Sequence, residues 1–315
     1  MAIWTPASDM GGVASAVDES SAMMGGATVA RSLTTVRRRR LWGRIPLAPT
    51  LLLSAFVLMA LFADLLAPAS PYDTSLRLRF APPFWMDGGT LSHPLGTDSL
   101  GRDTLSRLIF GARISLLVGL AAVGLGAVVG TVLGLIAGFY GGWLDAIIMR
   151  ATDAMLSLPI ILLAMLLAVT FGPGLDKLVI VLALVLWARF ARLVRAETLT
   201  CKVRDYVALA RVGGCSSSRL VLVHILPNVT NPLVVLATLQ VGWVVVVEAS
   251  LSFLGAGVPP PTPSWGTMIA EALEHVTTVW WLSVFPGVAV VLLVLSVNLL
   301  GDWLRDYLDP KRRRR

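Results

Sequence analysis

The stretch DYVALARVGGCSSSRLVLVHILPN, residues 205–228, is a polar island between two long apolar segments, and both halves have a helical pattern. In the first half, Asp205 is placed to cap a short helix, and Gly213-Gly214 is placed to end it, because glycine adopts left-handed backbone geometry at little cost. In the second half, Ser216–Ser218 offer N-cap hydroxyls to a helix that Pro227 is expected to interrupt. The stretch therefore predicts two short helices around a tight turn, here called the bracket.

The rest of the chain has the composition of a membrane protein. Of its 315 residues, 56% are hydrophobic and only 14% are charged, with a mean hydropathy of +0.78. Apolar runs of about 18 or more residues need lipid as their solvent. We therefore expect an all-α polytopic membrane protein with six transmembrane helices. They are expected near residues 47–67, 114–138, 154–171, 178–195, 229–247 and 279–300.

Four regions follow from these expected spans. Each has its own composition and expected place relative to the lipid bilayer. They are a disordered basic cytoplasmic tail at 1–45, the first transmembrane helix and an external loop at 46–110, a core domain at 111–305 that includes a cytoplasmic loop at 196–228, and a basic cytoplasmic tail at 306–315.

The distribution of positive charge predicts the orientation. With both termini in the cytoplasm, 20 Lys and Arg residues lie inside and 6 lie outside. This agrees with the positive-inside rule, and it places the bracket in the cytoplasm. Such charge runs in so apolar a chain indicate membrane orientation rather than nucleic-acid binding. Arg189, Arg192 and Arg195, at the inner end of the fourth span, are expected to extend to the interface.

The chain carries no pattern typical of an enzyme or of a cofactor site. No G-x-x-x-x-G-K-[ST], H-E-x-x-H or G-x-S-x-G sequence occurs, so the chain is not expected to bind ATP in a P-loop or to act as a hydrolase. Cys201 and Cys215 do not form a C-x-x-C pair, and the three histidines are scattered. Neither a disulfide nor a metal site is predicted.

Small residues and prolines mark the spans. A stripe of glycines repeats every four residues in the second span, which allows another helix to approach closely, either within this chain or from a partner. Pro159 is expected to kink the third span, and Pro286 lies in the sixth. Glu248, expected at the end of the fifth span, is a candidate for translocation or gating together with Pro159 and Pro286. The stripe consists of Gly126, Gly130, Gly134 and Gly138.

Two further motifs flank the core. The first reads HPLGTDSLGRD from His93 to Asp103 and continues to Arg107; in it, Asp98 or Ser99 is expected to cap a helix. Its Arg102, Asp103 and Arg107 are expected to face the lipid headgroups. His93 is interpreted as a turn residue rather than a metal ligand. The second motif, EASLSFLGAGVPPPTPSWG, covers residues 248–266 and includes a rigid run of prolines.

The bracket resembles the cytoplasmic EAA loop of permease subunits of bacterial ABC importers. Ala208-Leu209-Ala210 matches the triplet, Gly214 the glycine and Ile225-Leu226-Pro227 the closing tripeptide. Ala208 stands where that family usually has Glu, and Leu209 where it has Ala. The flanking motifs resemble those of the dipeptide, oligopeptide and nickel branch, in its second or C-type permease. The resemblance covers roughly residues 90–305.

The resemblance implies the type I importer permease fold, in the cytoplasmic (inner) membrane of a bacterium. The implied partners are a second, non-identical permease subunit, two cytoplasmic ATP-binding subunits or one fused ATPase chain, and an external solute-binding protein. ATP hydrolysis would belong to the partners. The solute implied is a di- or oligopeptide, although nickel and glutathione systems share these motifs. The implied ATPase-coupling residues are Tyr206, Ala208, Ala210, Arg211, Gly214, Ser216, Arg219, Leu226 and Pro227.

The alternative is a self-sufficient secondary transporter that uses intramembrane charge. Glu248 is its best support. However, no inverted repeat and no paired acidic residues are visible in the sequence.

Overall fold

In a computed structural model of the protein, which describes residues 45–172 and 174–308, every regular element of those residues is helical. The prediction of an all-α protein is therefore confirmed for this part of the chain. Pro46 onward forms one structural unit. The predicted N-terminal tail and the last residues of the C-terminal tail lie outside the described residues.

The described residues contain eleven α-helices. They are α1 Leu47–Leu61, α2 Ala63–Leu66, α3 Thr104–Tyr140, α4 Gly142–Ser157, α5 Ile160–Phe171, α6 Leu175–Lys202, α7 Asp205–Val212, α8 Ser217–Arg219, α9 Leu226–Phe253, α10 Trp265–Ala272 and α11 Trp281–Leu308. A π-helical segment, Leu220–Ile225, joins α8 to α9, and short 3₁₀ turns lie at Leu76–Leu78 and Leu273–His275.

Helical segments of the described residues lie at the positions of the six predicted spans, but not all of them are long and apolar enough to cross a membrane. By length and composition, three helices of the described residues can cross a membrane: Thr104–Tyr140, Ser217–Phe253 and Trp281–Leu308. The pair α4 and α5 passes the same test together, although it is bent by 92°. The 15-residue α1 is shorter. Helix α6 carries three arginines among its apolar residues.

Helix α3 begins ten residues before the predicted second span. Its N-cap is Asp103, whose side chain accepts a hydrogen bond from the backbone N–H of Ser106 at 2.7 Å. The prediction that Asp98 or Ser99 would be the cap is therefore wrong. At 37 residues, α3 is about 55 Å long, longer than the apolar core of a bilayer. It ends at Gly141, whose positive φ of 70° favours glycine.

The predicted kink at Pro159 is present. Helix α4 ends at Ser157, Leu158 is extended, and Pro159 is the N-cap of α5. A residue before proline is driven out of helical geometry, which explains a break at this point. The third span therefore consists of two helices, and its first half begins at Gly142 rather than near Ala154.

Helix α6 lies along the glycine stripe of α3. A Cβ atom added to Gly126 would lie 2.7 Å from the Cβ of Leu186, and one added to Gly130 would lie 2.5 Å from that of Phe190. Added Cβ atoms at Gly134 and Gly138 would lie 2.6 Å from the Ala191 carbonyl oxygen and 2.7 Å from the Cβ of Thr198. The backbones of α3 and α6 are thus so close that side chains on this face would clash.

The arginines of α6 make contacts within the protein, and their extension to the interface stays a prediction. Arg195 forms a two-point ion pair with Asp145 of α4, at 2.5 and 2.7 Å. Arg192 pairs with Asp153 of α4 at 2.6 Å. Arg189 points instead toward α9. The two pairs join the inner half of α6 to α4.

The glycine stripe generates a stability prediction. We expect Gly130→Leu to lower the free energy of unfolding by about 1–3 kcal/mol, because a larger side chain must push α3 away from α6. Thermal unfolding of the purified protein in detergent measures the change.

The matched control is Gly124→Leu on the same helix, because nothing lies within 4 Å of a Cβ atom at Gly124. This variant should unfold at the wild-type temperature or above it. Equal stability of the two variants would contradict the close packing of the stripe.

Candidate functional site

The bracket folds as a short helix, a tight turn and a second helix, as predicted. Helix α7 ends at Gly213, whose φ is −72°, and the chain turns at Gly214, whose φ is +79°. The N–H of Gly214 donates to the carbonyl of Arg211, and the N–H of Cys215 donates to that of Ala210, both at 3.1 Å. The turn therefore satisfies the last carbonyls of α7 and requires a left-handed residue at one position, Gly214.

The second half of the bracket is continuous with the fifth span. From Ser217 to Phe253 the chain is helical without a break. The prediction that Pro227 interrupts this helix is wrong: it occupies the first turn of α9. Before it, the N–H of Leu226 donates to the carbonyl of Val221, five residues earlier. This wider turn accommodates a proline, which has no N–H to donate and needs room for its ring.

An apolar cluster fixes the base of the bracket to the membrane helices. Val207 and Ile225 are fully buried, and Leu220 is nearly so. The Lys202 ammonium also donates to the carbonyl of Phe139. The bracket is therefore packed against α3, α6 and α9 rather than suspended in solvent. The cluster consists of Leu135, Phe139, Val194, Cys201, Val207, Leu220, Ile225 and Val229.

The outer face of α7 is exposed and carries large apolar side chains. Leu209 is 71% exposed and Val212 is 88% exposed. Exposed apolar side chains grouped on one short helix are typical of a protein interaction site. Neither residue was among the predicted coupling residues, although two apolar residues inside a polar island were a visible signal.

The structure brings the predicted coupling residues together on the bracket. Ser216 is the N-cap of α8 but makes no side-chain capping bond, and Asp205 is the first residue of α7 rather than its cap. The phenol of Tyr206 is partly covered by the protein, and this partial burial raises its pKa. The neighbouring Cys201 adds to the effect. Two of the predicted coupling residues, Ala210 and Leu226, are partly buried. The other seven are exposed: Tyr206, Ala208, Arg211, Gly214, Ser216, Arg219 and Pro227.

On the opposite side of the molecule, charged residues of the HPLGTDSLGRD motif are buried. Arg102 donates to Asp98 at 2.6 Å and to Glu271 of α10 at 2.7 Å. Arg107 pairs with the same two carboxylates, at 2.6 Å to Glu271. The prediction that this motif faces the lipid headgroups is wrong. Two arginines and two carboxylates instead form a neutral cluster that joins the loop before α3 to α10.

His93 and Asp103 complete this region. The Nδ1 atom of His93 lies 3.1 Å from the Asp103 carboxylate, which also accepts a hydrogen bond from the Ser106 hydroxyl at 2.7 Å. His93 thus fixes the helix cap of α3. Among the described residues, no group of His, Cys, Asp and Glu could hold a metal ion.

Glu248 lies inside the helix bundle rather than at an interface, so its predicted position is wrong. Its side chain is fully buried and accepts hydrogen bonds from Ser115 of α3 at 3.1 Å and from Ser252 at 2.8 Å. Pro286 is likewise buried, in the first turns of α11. The two residues are therefore enclosed by the protein.

Family comparison identifies this arrangement. Residues 130–314, which include the glycine stripe from Gly130 and the whole bracket, match the model of the binding-protein-dependent transport system inner membrane component. The chain belongs to this family. It is therefore a multi-pass inner-membrane permease, and its family functions with an ATPase and a solute-binding protein.

Curated relatives agree with this family. The permease is 47% identical to the di/tripeptide transport system permease protein DppC of Pseudomonas aeruginosa, over 81% of this chain and 86% of the relative. It is 46% identical to the dipeptide transport system permease protein DppC of Escherichia coli K12, over 80% of this chain and 84% of the relative.

A solved structure supports the fold. A crystal structure of an amino acid ABC transporter with histidines has a chain that aligns with a TM-score of 0.51 and 15% sequence identity. The alignment covers 64% of the permease and 94% of the matched chain. The type I importer fold expected from the sequence is therefore present in the permease.

The buried charge cluster generates a second prediction. Glu271→Gln leaves two buried guanidinium groups with the single carboxylate of Asp98. We expect the free energy of unfolding to fall by about 1–3 kcal/mol, because hydrogen bonds to buried charges are lost. Denaturation of the purified permease in detergent measures the change.

The control for this prediction is Asp64→Asn. Asp64 pairs with Arg113 at 3.1 Å, but the two side chains are 74% and 47% exposed. Exposed pairs contribute little to stability, so this variant should unfold like the wild type. If both substitutions had the same small effect, the buried cluster would not stabilise the fold.

Proposed function

We propose that the permease carries di- and oligopeptides into the cell in an ATP-driven importer. The complete importer would contain a second, non-identical permease subunit, two cytoplasmic ATP-binding subunits or one fused ATPase chain, and an external solute-binding protein. The observation that carries the proposal is the bracket: an exposed apolar face on α7, joined through the tight turn at Gly214 to a helix that runs without a break from Ser217 to Phe253.

Peptides are favoured as the solute because the relatives compared above are named as dipeptide and di/tripeptide permeases. Nickel complexes and glutathione remain the alternatives, since their permeases share the sequence motifs. Uptake of labelled peptides, nickel and glutathione by the reconstituted importer distinguishes them.

In this proposal both termini and the bracket lie in the cytoplasm. The ratio of 20 basic residues inside to 6 outside supports that orientation. It is also the orientation that a cytoplasmic ATPase requires, because the ATPase must contact Leu209 and Val212 on α7.

The proposed mechanism has two steps. Closure of the ATPase subunits upon ATP binding moves α7, and the turn at Gly214 transmits the movement to α8 and the π-helical segment. Because that segment continues into α9, the displacement reaches the membrane without passing through a flexible linker. The ATP-bound and the free ATPase subunits can differ in their affinity for the outward- and inward-facing permease. This difference in binding energy shifts the equilibrium between the two permease states.

A secondary transporter is the weaker candidate. Glu248 supports it, because an intramembrane carboxylate is often a coupling site. Hydrogen bonds from two serines and complete burial are equally expected of a carboxyl group that stabilises the bundle. Uptake that stops on ATP depletion and persists with proton uncouplers favours the importer; the reverse result favours a secondary transporter.

The bracket generates the third prediction. Gly214→Val places a β-branched residue at a φ of +79°, which costs about 1–3 kcal/mol locally. We expect the variant to insert and to assemble with its partner permease, but to lose bound ATPase and peptide uptake. Co-purification of the subunits and uptake into proteoliposomes measure the two properties.

The matched control is Gly213→Ala, one residue earlier. Gly213 has a φ of −72°, and a Cβ atom there would make an ordinary contact at 3.4 Å. This variant should retain ATPase binding and uptake. Full activity of Gly214→Val would show that coupling does not depend on the shape of the bracket.

A further inference from the structure

Arg189 is a charged residue in the middle of a membrane helix. It is the fifteenth of the 28 residues of α6, about 21 Å along the helix from Leu175. Among the described residues it forms no ion pair, in contrast to Arg192 and Arg195. An ionisable group at this depth is costly unless it has a function or a partner.

The contacts of Arg189 are with two residues of α9. Its guanidinium donates a hydrogen bond to Oε1 of Gln240 at 3.2 Å and lies over the ring of Trp243, 4.1 Å from the ring centroid. Stacking on Trp243 covers one face of the guanidinium and leaves the remaining N–H groups on its edge. The positive charge is therefore held in position but not neutralised.

Gln240 provides a second, independent observation. Its side chain is only 6% exposed, and its Nε2 atom is buried without a hydrogen-bond partner in the described part of the chain. The amide orientation is determined by Arg189, which can donate only to the oxygen. The Nε2 group of Gln240 and the remaining N–H groups of Arg189 are therefore two sets of donors, and the one acceptor between them, Oε1 of Gln240, is already used.

A large cavity begins one helical turn from these residues, which are not part of its lining. It has a volume of about 700 Å³, and its lining includes Leu193 of α6 and Leu236 of α9. Arg189 and Gln240 lie one helical turn further along the same faces of these helices. The charged and amide side chains of its lining are those of Glu197, Arg204, Asn228, Asn231 and Arg305. This volume is in the range of small-molecule sites, about 300–1,000 Å³.

We propose that Arg189, Gln240 and Trp243 form a carboxylate-binding site one helical turn beyond this cavity, which binds the C-terminal carboxylate of a transported peptide. The proposal rests on the proposed function. A carboxylate is acceptor-only and matches the forked donors of a guanidinium. It is also the anionic group that peptides of any sequence share, so one site serves many peptides.

The test uses the complete importer in detergent, without the binding protein, and measures equilibrium binding of labelled trialanine and of trialanine C-terminal amide. Arg189→Gln should weaken the binding of trialanine by about tenfold or more, because a charge-assisted hydrogen bond is lost. Binding of the amide should be weak in both proteins. The matched control, Arg192→Gln, removes an exposed arginine one turn away and should bind trialanine like the wild type.

A second variant distinguishes ligand binding from a structural role. Gln240→Glu places a carboxylate beside Arg189 within the permease itself. We expect this variant to lose trialanine binding while it unfolds at the wild-type temperature or above it. A purely structural role of Arg189 predicts retained binding in Gln240→Glu.

Three outcomes would overturn the proposal. Equal binding of trialanine by wild type and Arg189→Gln would overturn the site alone, provided that the wild type takes up peptides. If the partner permease no longer co-purified with the Arg189→Gln variant, the carboxylate that binds Arg189 would belong to the partner. Failure of the wild-type importer to take up any peptide would overturn the proposed function and, with it, the ligand of this site.

Discussion

The fold depends on one constraint: a helix in lipid must satisfy its backbone hydrogen bonds internally. The chain from Ser217 to Phe253 meets this requirement although it contains Pro227. In a π-helical turn just before this proline, the N–H of Leu226 donates to the carbonyl of Val221, five residues earlier. A normal α-helical turn would bring the Pro227 ring against the carbonyl four residues earlier. The wider turn keeps the helix continuous, and the second half of the bracket is therefore an extension of the fifth span.

The other helices support this long element from two sides. At one end, the apolar cluster around Val207 and Ile225 packs the bracket against α3 and α6. Close contact along the glycine stripe holds α3 to α6. On the far side, the cluster of Asp98, Arg102, Arg107 and Glu271 joins the start of α3 to α10. Both ends of the bundle are therefore tied by contacts between distant parts of the sequence.

Sequence patterns predicted the features that depend on local chemistry. The helical character, the break at Pro159 and the left-handed Gly214 each follow from one or two neighbouring residues. Features that depend on distant partners were missed. The motif around Arg107 reads as a surface segment because nothing near it in sequence shows that Glu271 will cover it. Glu248 was placed at an interface for the same reason, since Ser115 lies in another helix.

Distance measurement by pulsed electron paramagnetic resonance tests most directly whether the bracket and α9 move as one element. Spin labels at Ser218 and Leu254 lie at the two ends of this helix, and a third label on the partner permease reports opening. A rigid helix predicts the same, narrow Ser218–Leu254 distance with and without ATP, while the distance from Leu254 to the partner changes. A Ser218–Leu254 distance that changes or broadens with ATP would contradict it, because the helix would then bend between the second half of the bracket and the membrane.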